Sequence, residues 1–368
     1  MSTHPQVVTV ALGAPLEVRQ VSTRRPKGNE VRVRVEWTAS TPLDVHQALG
    51  GLLVVKYPQG LGDGTAGTVV SSGPNARYQV GDKVFGFTWR SNEEKSHQLY
   101  CVAPDILLGK VPRGFTMQQA VTLPNNFVTA WHTLTSDVGF ELPWPKPNDY
   151  VPPELDEWIL VWGGSSSTGQ FFIQILKWYG YKNIIATAGK QHHDRLQRYG
   201  AAACFDYRSG NVGGPISDFL SQQHQGKHNI RYAIDCIGSR AGSVKPIAEV
   251  VRSGATVAVL LPVIIADAVD NQKPVYTLDA EEDVAWAEGV EVRGVRTHFW
   301  LDNNFLAEKL QTEIMPAALE LGMVEPNEQV VVEGRTLLER AQKAIEMLRR
   351  REVSGARLVW RVAEEGEE

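Results

Sequence analysis

Cysteine is scarce in this chain: Cys101, Cys204 and Cys236 are the three among 368 residues, and they lie far apart. That scarcity excludes a disulfide framework and a zinc site built on clustered thiolates. No uncharged apolar run is long enough to span a bilayer. The longest, "GATVAVLLPVIIADAV", is broken by Pro262 and reads as a strand running into a loop. No long basic run appears, and a net charge of −5 gives neither nucleic acid nor an anionic membrane a reason to bind. The opening "MSTHPQVVTV" lacks the basic-then-apolar order of a secretory signal, so none is expected. These absences predict a soluble, cytoplasmic globular protein. At 368 residues, 43% of them hydrophobic, two domains are expected.

The first third is strand-like. "EVRVRVEWTAS" (Glu30 to Ser40) alternates apolar and polar residues, and "GTAGTVVSSG" and "VGDKVFGF" follow with glycines between. Short strands punctuated by Gly and Pro predict a small barrel-like domain. In "TMQQAVTLPNNFVTAWHTL" the period changes, and Ala120, Leu123 and Phe127 share a helical face that Pro124 interrupts. Five prolines in "FELPWPKPNDYVPPELDEW" (Phe140 to Trp158) predict a stiff, extended surface insertion. From Trp158 the rhythm is strand, helix, strand: "WILVWGG", "TGQFFIQILKWYG", "NIIATAG", "HHDRLQRYGA", "ACFDYRS", "IRYAIDCIGS" and "GATVAVLLP". Such alternation predicts α/β architecture with a parallel sheet covered by helices on both faces. A helix is expected from about Asn304 to Leu321, then a strand, a helix and a strand, and an acidic tail "EEGEE" without fixed structure.

The turn "GGSSSTG", Gly163 to Gly169, sits between a strand and a helix, where a doubly wound sheet binds a dinucleotide pyrophosphate. It lacks the central glycine of the usual fingerprint. Its serines are small and their hydroxyls can donate to phosphate oxygens, but serine is also a preferred helix N-cap. Cradle and cap are compatible. The next strand ends Thr187, Ala188, Gly189, without the acid that binds a ribose 2′-OH. Lys190, Gln191, His192 and His193 follow, a donor-rich corner that suits a 2′-phosphate and favours NADPH over NADH; the alternative is that Lys190 is a solvated loop lysine.

The pieces "STPLDVHQALGG", "GLGDGTAGTVVSSG", "QVGDKVFGF", "LPNNFVTAWHTL", "LVWGGSSSTGQ", "YGAAACFDYRS", "AIDCIGS" and "VSGARLVWRV" resemble, in order and spacing, the medium-chain dehydrogenase/reductase superfamily over nearly the whole chain. Within it the chain is most similar to fungal zinc-independent enoyl reductases that act in trans with polyketide synthases. The resemblance implies a GroES-like β-rich catalytic domain from 1–127 and 301–368, and a Rossmann doubly wound parallel-sheet domain over 128–300, with the chemistry in the cleft between them. It implies no metal site. The positions that carry a Cys and a Gly-His-Glu in zinc alcohol dehydrogenases read Thr41 and Gly62, Asp63, Gly64 here.

Carried over position by position, the resemblance places Pro42, Asp44, Val45 and His46 near the nicotinamide ribose and Thr129 toward the nicotinamide or substrate. Ser165, Ser166, Ser167 and Thr168 would hold the pyrophosphate. Gly189, Lys190, Gln191 and His192 match the 2′-phosphate segment, with Tyr207 on the adenosine side. Leu260 and Leu261 would flank the nicotinamide, and Val353 and Ser354 return from the C-terminal segment. Ser166 stands where a glycine is usual, and the 2′-phosphate segment reads Gly-Lys-Gln rather than Ser-Pro-basic, which brings the charge one residue early.

The implied activity is NADPH-dependent reduction of an activated C=C bond, with Thr129 and His46 as catalytic candidates. His46 either relays a proton or donates to the cofactor ribose. The substrate would be a small molecule or a carrier-tethered enoyl group, with a polyketide synthase as partner. A quinone or general enone reductase, and a catalytically silent NADPH-binding protein, remain alternatives. His132 and His298 are read as core or rim residues, His97, His224 and His228 as lying in polar stretches. Trp89, Trp131 and Trp300 are candidate pocket walls. A monomer is favoured over a homodimer, because Arg293 and Arg296 in "VEVRGVRTHFW" would blunt a strand edge.

Overall fold

The computed structural model describes residues 2–223, 228–268 and 273–363. The acidic tail and His224 lie outside them. The chain divides into two compact units. One comprises Met1–Val128, Ala268–Pro274 and Leu301–Glu368, the other Thr129–Asp267 and Val275–Trp300.

The first unit is built on Glu30–Ala39, whose burial alternates as its sequence does. This long strand pairs antiparallel with Gly64–Ser72, Tyr100–Pro104 and Ala356–Arg361. Lys83–Phe87, Gly109–Lys110 and Glu328–Val331 complete a seven-stranded sheet. Three shorter strands, Glu17–Ser22, Thr3–Thr9 and Gln59–Gly60, form a second sheet. Val31, Val33, Val35, Leu61, Val84 and Trp360 belong to the core they enclose. Two helices pack onto it, Pro42–Gly50 and Leu337–Arg349. Val45 of the first and Ala341, Ala344 and Ile345 of the second are buried in that core.

The second unit holds a six-stranded parallel sheet in the order Ala203–Phe205, Ile184–Thr187, Trp158–Trp162, Ile230–Asp235, Thr256–Leu260, Glu291–Val295. Numbered along the chain, that is the 3-2-1-4-5-6 order of a dinucleotide-binding sheet. Trp158–Trp162 is central and buried along its length, as a continuous apolar run between helix layers must be. The register sets Thr187 beside Trp162 and Trp162 beside Asp235, so the carboxyl ends of these strands share one edge.

Three local expectations change. Pro124 starts a helix, Pro124–His132, instead of breaking one; the missing N–H of proline costs nothing in a first turn. After Pro262 the chain forms a further strand, Val263–Ala266, paired with Val275–Thr277. The proline-rich segment is pinned rather than merely spread on the surface. Phe140 stacks on Tyr181 at 4.8 Å and meets Tyr232 edge-on at 4.7 Å. Tyr179 donates to the Pro143 carbonyl, and the Lys146 ammonium donates to the Trp178 carbonyl. Asn304–Lys309, Leu310–Ile314 and Met315–Glu320 run on as the expected late helix, with a wide π-turn in the middle.

Candidate functional site

The parallel-sheet unit gathers its candidates along the carboxyl edge. Gly163 follows the central strand with φ +78°, a conformation glycine adopts without strain. Its N–H donates to the Thr187 hydroxyl at 3.0 Å, so the residue found where an acid was sought locks the turn from the neighbouring strand. A Cβ on Gly169 would collide with the Gly163 carbonyl, so glycine there allows the helix to approach the strand closely. The helix Ser167–Tyr179 begins after Ser166, whose hydroxyl accepts from the Gly169 N–H at 3.0 Å. Ser166 is therefore the N-cap, and it also meets the thiol of the half-buried Cys236. Ser165, Ser166 and Ser167 are half-buried and Thr168 is buried. Glycines packed this closely at a helix N-terminus fit a pyrophosphate.

The fourth strand closes the turn. Asp235, wholly buried, accepts from the Ile237 N–H at 2.9 Å, the Gly238 N–H at 3.1 Å and the Ser243 hydroxyl at 2.7 Å. Burial pushes its pKa up to about 6 against those donors. The turn it fixes puts Ile237 over the α-carbon of Gly163.

At the end of the second strand the charge comes from a residue the sequence reading left out. The Arg208 guanidinium lies on the α-carbon of Gly189, in space that any side chain there would fill. Arg208 donates to the Gln191 side-chain carbonyl at 3.0 Å, pairs with Asp206 at 3.4 Å and lies over the Tyr207 ring at 5.6 Å. Lys190 is exposed, and its backbone N–H donates to Asp206 at 3.3 Å. His192 contacts Gln191 and Arg195, and His193 donates to the Ala188 carbonyl. Lys190, Gln191, Tyr207 and Arg208, exposed, and His192, half-buried, thus form one corner over the buried Gly189, with Arg208 at its centre. The clue was in the quoted "DYRS", but the sequence does not say that this loop faces the second strand.

Thr129 is buried, and its hydroxyl accepts from the Thr297 hydroxyl at 3.1 Å. His132, one turn later, is buried 3.8 Å from Asp137, whose carboxyl burial pushes up to about 6. Leu260 ends the fifth strand and Leu261 follows it, both half-buried. Leu261 lines a cavity of about 340 Å³ with Leu278, Val292 and Arg296, at the sheet's outer edge and apart from the phosphate turn. Trp131 and Trp300 are fully buried, and Trp89 is half-buried against Phe87.

In the GroES-like unit the helix Pro42–Gly50 carries four candidates in different settings. Pro42 is exposed, His46 half-buried, and Val45 belongs to the core. The buried Asp44 carboxylate accepts from the Thr41 N–H at 2.8 Å and the Gly62 N–H at 3.0 Å, latching the helix start to the Gly60–Gly64 turn. Val353 packs against the same core as Val45, and Ser354 is exposed. The positions compared with zinc ligands do not make a zinc donor set. Thr41 caps the helix, Asp63 is held by the Lys95 ammonium at 2.5 Å, and Gly64 offers nothing. Among the described residues no three His, Cys, Asp or Glu side chains come close enough to hold a metal ion. No helix among them is long and apolar enough to cross a membrane.

Residues 27–133 match the family of alcohol dehydrogenase GroES-like domains. The chain is similar to the dehydrogenase pigH of Monascus ruber, 33% identical over 58% of this chain and 60% of that protein. It is 32% identical, over 61% of each chain, to lovC of Aspergillus terreus, the enoyl reductase component of lovastatin nonaketide synthase. The trans-enoyl reductase himH of Aspergillus japonicus is 28% identical over 87% of this chain and 86% of its own length. The matches to pigH and lovC thus span about three fifths of those relatives. An alcohol dehydrogenase superfamily protein from Novosphingobium aromaticivorans shares the fold with a TM-score of 0.74 at 22% identity, over 98% of this chain and all of that one. CurK enoyl reductase does so with a TM-score of 0.72 at 16% identity, over 97% and 99%. A GroES-like unit with a 3-2-1-4-5-6 parallel sheet is the fold of the medium-chain dehydrogenases and reductases. Within it the chain is similar to the fungal trans-enoyl reductases.

Proposed function

We propose that this protein is an NADPH-dependent enoyl reductase that works without zinc, on an α,β-unsaturated thioester carried by a polyketide synthase. The observation that carries the reading is the turn Gly163–Thr168 at the carboxyl edge of the central strand, with a cationic corner one strand away. Similarity to himH and lovC supports the substrate class.

When bound, the nicotinamide dinucleotide supplies the hydride, delivered to the β-carbon of the enoyl group. The chain's own residues bind and orient. Backbone and hydroxyl groups of Ser165, Ser166, Ser167 and Thr168 would hold the pyrophosphate, and Gly189, Lys190, Gln191, His192, Tyr207 and Arg208 the adenosine 2′-phosphate. Pro42, Asp44, Val45, His46, Leu260, Leu261, Val353 and Ser354 would shape the nicotinamide end. Asp44 and Val45 would do so from buried positions, by fixing the helix that bears His46. The Thr129 hydroxyl would face the carbonyl on which negative charge develops, a preorganised dipole of the kind that lowers such barriers. His46 would donate from its ring to the ribose or pass the proton that the α-carbon receives.

The test is fluorescence titration with NADPH and NADH, followed by turnover of an enoyl thioester and of free enones. Tight NADPH binding with thioester turnover is expected. Failure to bind either dinucleotide overturns the reading. Turnover of free enones and quinones alone replaces the substrate class.

A further inference from the structure

Inside the GroES-like unit lies a group of buried charges. Lys95 and Asp63, with side chains 6% and 1% exposed, are paired at 2.5 Å. Asp44 and Arg357 are also buried. Arg357 is near enough for the charges of Asp44 and Asp63 to oppose the fall that burial imposes on its pKa. His97 lies against Gly62, where a Cβ would collide with its ring, and against the Trp360 ring at 4.6 Å. Burial and the Lys95 charge hold its pKa down to about 3, so it adds no third cation. The group therefore has two carboxylates and two cations. Without the cations, two neighbouring buried carboxylates would be costly to ionise.

The neighbouring backbone shows what the pair ties together. Lys95 sits in the loop Asn92–Gln98, which runs along the Gly60–Gly64 turn. The Gly60 N–H donates to the Asn92 side chain at 2.9 Å, the Ser96 N–H to the Gly62 carbonyl at 3.0 Å and the His97 N–H to the Leu61 carbonyl at 3.0 Å. The Gly62 N–H in turn donates to Asp44, which caps the helix bearing His46. The connection therefore runs from Lys95 to Asp63, along one residue of backbone to Gly62, and through Asp44 to the helix start. Asp63 occupies a position where the zinc alcohol dehydrogenases of this fold carry a metal ligand. With an ammonium and a guanidinium already beside it, that carboxylate is already neutralised and has little charge left to offer a divalent cation.

We propose that Lys95 is a positioning residue whose ammonium, as a tethered internal cation, takes the electrostatic place of a metal ion and holds the Gly60–Gly64 turn, and through Asp44 the His46 helix, in register. The kinetic part rests on the reductase reading; the structural part does not. The experiment uses the full chain and four forms: wild type, Lys95→Met, Lys95→Arg and the double variant Lys95→Met/Asp63→Leu.

Lys95→Met is expected to melt below the wild type, because Asp63 loses its counter-ion, and the double variant to recover the melting temperature. NADPH-dependent kcat is expected to fall at least tenfold in Lys95→Met and to stay low in the double variant, with KM for NADPH little changed and with Lys95→Arg regaining most of the loss. Wild type is expected to keep its activity after exhaustive chelation and to give no visible cobalt(II) absorption on titration. Wild-type kcat in the double variant would reduce the pair to charge compensation and overturn the proposal. So would an unchanged melt in Lys95→Met, loss of wild-type activity on chelation, or a cobalt(II) band in the wild type. If no form turns over an enone, the reductase reading falls, and the melts and cobalt titration still decide the tether.

Discussion

Replacing Arg208 with alanine is the sharpest probe of the cofactor corner. The guanidinium has one neutral acceptor, the Gln191 side chain at 3.0 Å, and a looser contact with Asp206 at 3.4 Å. It is half exposed, 53% by side chain, and lies over the α-carbon of Gly189 and the Tyr207 ring. A 2′-phosphate reaching this corner would accept a charge-assisted hydrogen bond, worth roughly 1.5–3 kcal/mol when the alternative is water. Exposure and screening put this case at the lower end, about 1.5–2 kcal/mol. At about 1.4 kcal/mol per decade, the NADPH dissociation constant should rise roughly 10- to 30-fold. The NADH constant should hardly move, because that cofactor has no phosphate there. Lys190→Ala should cost less, roughly threefold, since a mobile exposed ammonium gains little from one contact. Fluorescence titration of both cofactors against both variants reads this directly. Repeating it between about 0.05 and about 0.5 M salt should shrink the Arg208 effect. Equal losses for NADH and NADPH would show that Arg208 supports the fold of the corner rather than the phosphate. A larger loss in Lys190→Ala than in Arg208→Ala would return the charge to the loop.

Gly169→Ala should destabilise the chain by about 1–3 kcal/mol and abolish dinucleotide binding, because the new methyl group meets the Gly163 carbonyl and the helix must move off the strand; a thermal melt with a binding titration checks both. Phe140→Ala should cost about 3–5 kcal/mol by removing a ring packed between Tyr181 and Tyr232, and limited proteolysis should then cut within residues 141–157. The pH dependence of Asp235 has a definite sign. Its folded pKa of about 6 lies above the ordinary aspartate value of 3.8, so between these values the folded state binds more protons than the unfolded state, and its contribution makes stability fall as pH rises from about 4 to about 6. Denaturant melts across that range should show a steeper fall for wild type than for Asp235→Asn, by up to about 3 kcal/mol in total; a steeper fall in the variant would contradict the sign.

The two-part architecture was legible because both periods are strong. Alternation in Glu30–Ala39 and the apolar run Trp158–Trp162 bounded by glycines each leave few options for the backbone. What escaped were matters of direction. Pro124 looks the same in sequence whether it ends a helix or starts one, and the preceding residues Val121–Leu123 had to be seen leaving the short helix Met117–Ala120 first. Asp44 and Val45 sit beside His46 in sequence, yet a helix turns each successive side chain by about 100°, so one residue latches a turn and its neighbour fills the core. Lys95 carried no signal at all: a lysine in "NEEKSHQLY" looks solvated until its partner, 32 residues earlier, is seen beside it. The same holds for Arg208. The second strand alone offers Gly189, Lys190, Gln191 and His192 to the phosphate, with Lys190 as the charge. In a parallel sheet, however, the loop after the third strand lies beside the loop after the second, because Phe205 is in register with Thr187. A phosphate held above Gly189 is therefore within reach of side chains from both loops. Gly189 lacks a side chain of its own, and that leaves the space to Arg208.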